Sequence, residues 1–114
     1  MKNVRAIQLK SSGECRIVTI NDYKDLNRYA GCSIGTTLST RKDGRLIMWL
    51  DDEGLLVRKP LNRNAVKVSE YPGYLAGDAV LLRTDYEGDN TNLTDEDIEF
   101  VKETLCLTEI EESE

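Results

Sequence analysis

The chain contains no histidine. That absence removes the commonest general acid–base, the Ser–His and Cys–His nucleophile pairs, and the most frequent zinc and iron ligand. Lysine or carboxylate chemistry stays open, but the expectation is a protein that is not an enzyme and has no metal site or cofactor. Cysteine is scarce: Cys15, Cys32 and Cys106 are odd in number, widely separated and include no Cys-x-x-Cys. Such thiols read as small buried hydrophobes in a reducing compartment. No apolar run approaches the roughly 20 residues of a membrane helix. Met1–Arg5 runs straight into an alternating pattern without a signal-peptide core. The expected location is therefore cytoplasmic.

What is abundant is charge, and it is unevenly placed. Residues 1–67 hold 13 Lys/Arg against 7 Asp/Glu, and residues 68–114 hold 2 against 14, giving −6 for the whole. A split this steep bears on partners and association. The basic part suits an anionic ligand and the acidic part a basic protein surface. It equally suits two halves of one domain that attract each other. With 114 residues the chain is expected to form a single domain over 1–107, followed by an acidic tail over 108–114 that frays.

Val4–Leu9 and Glu14–Ile20 read as strands joined by the turn Lys10-Ser11-Ser12-Gly13. Asn21-Asp22 then caps a short amphipathic helix with Tyr23, Leu26 and Ala30 on one face, and Gly31 stands at its C-cap. Ser33–Thr40, the Asp43-Gly44 turn and Arg45–Leu50 read as a hairpin, and Asp51–Gly54 turns the chain into Leu55-Leu56-Val57, a third strand of a meander. Periodicity fails between Arg58 and Asp78, which hold both prolines, and this stretch reads as a long loop. Ala79–Arg83 resumes as a strand, and Asp85–Asn92 is a polar loop. The last helix is signalled best, with Thr94 as N-cap, Asp97 at N3, a Leu93–Ile98 staple, and a stripe of Ile98, Val101 and Leu105. The expected class is α+β, a mostly antiparallel sheet of five to six strands with two packed helices.

Several of these segments together carry a resemblance. They are the opening strand–hairpin–helix, the run Pro60-Leu61-Asn62-Arg63-Asn64-Ala65, the strand start Leu75-Ala76-Gly77-Asp78-Ala79-Val80, and Asn92-Leu93-Thr94-Asp95-Glu96-Asp97-Ile98-Glu99. Over roughly residues 3–105 the chain resembles the small phage and mobile-element proteins grouped as DUF3846, a domain of unknown function. The resemblance implies an accessory role in managing the host, with counter-defence as the obvious version. It implies no mechanism.

Candidate sites follow from the residues. Arg58, Lys59, Asn62, Arg63 and Asn64, with Lys67 in the same basic cluster and Tyr71 and Tyr74 behind them, combine cations, base-edge amides and stacking rings. That mixture fits a loop that binds and sequesters a nucleotide-type signalling molecule. It also fits a solvated connector whose asparagines hold turns. Gly35–Lys42 lacks the glycine spacing of a phosphate loop, and Asp51-Asp52-Glu53 reads as a turn rather than a cation site. Net charge of −6 argues against direct nucleic-acid binding. The alternative function is inhibition of a host defence or regulatory protein through an acidic, DNA-mimicking surface built on Asp95, Asp97, Glu99 and Glu103. A homo-oligomer is compatible with the charge split, basic faces of one copy meeting acidic faces of another.

Overall fold

In the computed structural model, which describes residues 2–112, the sheet grows outward from one strand. β5 (Ala79–Thr84) is buried through its first four residues and lies between β4 (Leu46–Asp51) and β1 (Val4–Leu9), antiparallel to both. Outside these stand β3 (Gly35–Ser39) against β4 and β2 (Cys15–Ile20) against β1. β6 (Asn90–Thr91) pairs with the far end of β5, and β7 (Glu111–Glu112) pairs in parallel with β2. The path is β3-β4-β5-β1-β2-β7, mostly antiparallel, with seven strands and three helices among the described residues.

Both faces are covered, so the central strands read as continuous apolar runs. Leu26 and Ala30 of α1 (Tyr23–Ala30) pack on one face with Ala6, Val18, Val80 and Leu82. Ala65 and Val68 of α2 (Arg63–Ser69), with Ile98 and Val101 of α3 (Asp95–Leu105), cover Ile7, Leu9, Met48 and Leu81 on the other. Trp49 lies on the α1 side, where its indole N–H donates to Asn27 Oδ1 at 3.0 Å. Its ring lies so close to the backbone of Gly35 that a Cβ there has no room.

Four features depart from the sequence expectation. Leu55-Leu56-Val57 do not form a strand. They lie exposed in overlapping turns, with Val57 N–H bonded to Glu53 O and Lys59 N–H to Gly54 O, and β5 takes the expected place beside β4. Within the supposed loop a third helix forms, α2. β6 and β7 add two short strands. The segment expected to fray is also tied down in part, because Ile110 is buried and Glu111–Glu112 join the sheet, while Ser113 and Glu114 lie outside the described residues.

α2 exists because of Asn62. The side chain is 2 % exposed, and its Oδ1 accepts from the Ala65 N–H at 3.0 Å as a helix N-cap. Its Nδ2 donates to the carbonyls of Leu9 and Gly77, each at 2.9 Å. One amide thus fastens α2 to the end of β1 and to the segment entering β5. Its backbone N–H also donates to Leu75 O at 2.7 Å.

α3 is held by a buried carboxylate. Asp97 closes the capping box with Thr94, accepting from the Thr94 N–H at 2.9 Å. The same group accepts two hydrogen bonds from Arg83 and one from Lys42, all at 2.6 Å. Burial opposes its charge. The Arg83 fork, then Lys42 and the Thr94 amide, outweigh that and hold the carboxyl well below the usual range.

Two outcomes follow. A carboxyl depressed in the fold stabilises it above the unfolded aspartate value, and this contribution fades as pH falls toward the folded value. Unfolding free energy from urea titration therefore declines below about pH 4, and Asp97→Asn flattens that decline while costing about 3 kcal/mol at neutral pH. At position 62, Asn62→Ala loses about 2–3 kcal/mol. Asn62→Asp is worse still, although it keeps the cap acceptor, because a carboxylate then faces two carbonyl oxygens. Equal midpoints for the two variants contradict this account of α2.

Candidate functional site

The residues expected to form one ligand site are distributed over three clefts and the turn between them. Arg63 and Asn64, in the first turn of α2, face the β1–β2 turn across a cleft of about 260 Å³. Lys10, Ser11, Ser12 and Lys67 complete its walls. The β1–β2 turn is fixed from several sides. Gly13 adopts φ 100°, its N–H donates to Lys10 O, the Ser11 N–H donates to Asp78 Oδ1 at 2.8 Å, and Asn64 Nδ2 approaches Gly13 O at 3.4 Å. Arg63 and Lys67 are exposed and Lys10 is half-buried, and among the described residues none of the three makes an ion pair. Asn62 lines this cleft, but its hydrogen-bonding groups are committed to the fold as described, so its assignment as a ligand residue is corrected.

Lys59 lies elsewhere. It borders a larger cleft, of about 750 Å³, between the C-terminal end of α1 and the turn after β4. There its ammonium pairs with Asp51 at 2.7 Å and donates to Gly31 O. Lys59 is the main reason that Asp51 titrates below its ordinary value. Asn27 and Arg28 in the same wall are engaged too, Asn27 with Trp49 and Ser33, and Arg28 with Asp25. Cys32 also lines it, with its thiol pushed up first by burial and then by Asp51, which keeps the sulfur protonated and a poor nucleophile. Burial likewise raises Cys15.

Tyr71 and Tyr74 border a third cleft, of about 400 Å³, with Leu55, Leu56, Leu75 and the Thr36–Leu38 side of β3. Arg58 is exposed at the end of the preceding turn, with φ 59°. The tyrosines are therefore not placed to stack on a base held by Arg63.

The acidic set is divided as well. Asp97 is fully buried and cannot meet a partner, which corrects its place in that set. Asp95 is exposed and touches Arg5 at 3.3 Å, Glu99 lies 3.9 Å from Lys102, and Glu103 is exposed. Among the described residues no group of three or more Cys, Asp or Glu is arranged to hold a metal ion.

Sequence reasoning missed Lys10, Ser11 and Ser12 as members of the cleft that holds Arg63 and Lys67. The available signal was the Lys-Ser-Ser-Gly hairpin turn, whose position relative to residue 63 depends on the unforeseen helix. Comparison with curated proteins and with solved structures gives no match. The family model described as "Domain of unknown function (DUF3846)" matches residues 2–106, and the chain belongs to that family.

Proposed function

We propose that the chain is a non-enzymatic accessory protein, of the phage or mobile-element kind, that counters host defence by binding and sequestering a nucleotide-type signalling molecule. The observation that supports this is the cleft between α2 and the β1–β2 turn, where Lys10, Arg63 and Lys67 line one space without an acidic partner. Cations left unpaired around a concavity favour a phosphate, with Arg63 offering a fork of donors and the lysines point charges. The Ser11 and Ser12 side chains add hydroxyls, and Asn64 adds an amide. Leu61, 48 % exposed at the rim, offers an apolar surface for the face of a base. The cleft's volume suits the phosphoribosyl part, with the base outside.

A second reading, inhibition of a host protein by an acidic surface, draws support from β7. Its pairing with β2 fixes Glu111 and Glu112 at a sheet edge, and Glu109 is exposed just before them. On this reading the partner would meet those glutamates and the Glu99–Glu103 side of α3.

Titration calorimetry with mononucleotides, cyclic nucleotides, ADP-ribose and inorganic phosphate separates the two. Binding is expected for at least one phosphate-bearing ligand, which is recovered unaltered and binds more weakly as salt rises. Arg63→Ala and Lys67→Ala each weaken it by about tenfold or more, the loss of one charge-assisted hydrogen bond. Both side chains are exposed, so the melting temperature should hold. No heat across the whole set overturns the nucleotide reading, and turnover of a ligand overturns the non-enzymatic one.

A further inference from the structure

The two ends of the sheet are unlike. At one end β7 is two residues long and both are glutamates, a short charged edge of the kind that resists further pairing. At the other end β3 is five residues, Gly-Thr-Thr-Leu-Ser, with no charge, no proline and no bulge. Its ladder with β4 fixes which groups point outward. Thr40 N–H donates to Leu46 O at 3.1 Å, so Thr40, Leu38 and Thr36 turn their backbone groups toward β4. Gly35, Thr37 and Ser39 consequently direct their N–H and C=O groups to the open side. Beside this edge lies the cleft of about 400 Å³ whose rim carries Leu55, Leu56, Tyr71 and Tyr74, exposed by 53, 81, 40 and 70 %.

We propose that β3 is the interface of a symmetric homodimer, in which β3 of one copy pairs antiparallel with β3 of a second copy of this chain. A two-fold axis through Thr37 sets Thr37 opposite Thr37 and Gly35 opposite Ser39. That register uses the outward groups of all three residues on both chains. The edge is complementary to itself in charge as well. Arg41, two residues after Ser39, makes an exposed pair with Glu70 and a long hydrogen bond to Lys67 O, whereas Asp52 and Glu53, which make no ion pair among the described residues, follow the Gly35-paired end of β4. Antiparallel pairing brings Arg41 of one copy toward the acidic turn of the other, twice. On the α2/α3 side the axis gathers Leu38, Leu55 and Leu56 of both copies. The isologous contact closes at two, because a two-fold pairing uses up the β3 edge of both copies. This interface rests on strand pairing, with the charge contacts confined to its two ends, and it leaves the α2 cleft open.

Sedimentation velocity of the full chain over a concentration series tests the proposal. A reversible dimer is expected, with slowed amide exchange at Gly35, Thr37 and Ser39 as the dimer forms. Thr37→Pro removes an outward N–H without touching the β4 ladder, and Leu56→Lys places charge on the apolar rim at an exposed position. Each is expected to raise the dimer dissociation constant by at least about tenfold with the circular dichroism spectrum retained. A chain that stays monomeric throughout overturns the proposal and leaves the edge to an extended peptide of another protein. A dimer that both variants leave unchanged overturns it equally.

Discussion

The buried Asp97 carboxylate is the constraint on which the arrangement of this molecule depends. It stands at the start of α3, yet its partners come from β5 through Arg83 and from the β3–β4 turn through Lys42. Arg83 also reaches Asp43 at 3.0 Å, and Asp43 accepts the backbone N–H groups of Arg45 and Leu46 that shape that turn. Helix, central strand and hairpin are thereby tied through one charge network. A buried ion pair contributes little net free energy against an apolar equivalent, but removing one member strands the others. Its value here lies in fixing one arrangement of α3 over the sheet, since each lone pair of Asp97 has a donor.

The division of charge along the sequence finds part of its explanation in the same network. Lys42–Asp97, Arg5–Asp95 and Arg41–Glu70 each join the basic stretch to the acidic one. Part of the charge of each stretch is thereby met by the other. The exposed pairs contribute little, and only the Asp97 pair is shielded from water. What this pairing leaves over is informative. On the basic side the remainder includes Lys10, Arg63 and Lys67 around one cleft, and on the acidic side it includes the glutamates that pair with Arg16 and Ile17 of β2.

Legibility followed the locality of the signal. α1 and α3 could be read because cap, staple and stripe lie within a dozen residues, and the Asp22, Gly31 and Thr94 caps stand where their residue types predict. The β1–β2 hairpin carried its own turn chemistry, whereas the β3–β4 connection is a five-residue loop over 41–45, shaped by the Asp43 carboxylate, and not the two-residue Asp43-Gly44 turn that the sequence suggests. α2 was hidden because it is seven residues long, contains Val66, Val68 and Asn64, has no acid in its first turn, and ends on Glu70 at φ 62° instead of a glycine. Asn62 followed by Ala65 and Val68 was the one local hint. The Leu55–Val57 run misled because three apolar residues after a turn resemble a strand, and only the β4–β5 pairing shows the place to be taken. The candidate cleft could not be assembled from the sequence, since Lys10 and Arg63 meet through the amide of Asn62, a contact 53 residues long in the chain.

The position of Trp49 has a practical consequence. It is the one tryptophan of the chain, its indole is bonded to Asn27, and its ring lies against the backbone of Gly35. Its fluorescence therefore comes from a single, half-shielded site at the boundary of α1 and the outermost long strand. The molecule carries its own optical gauge for that corner: any event that shifts Gly35 changes the polarity and rigidity around the indole, without a label and without contribution from another tryptophan.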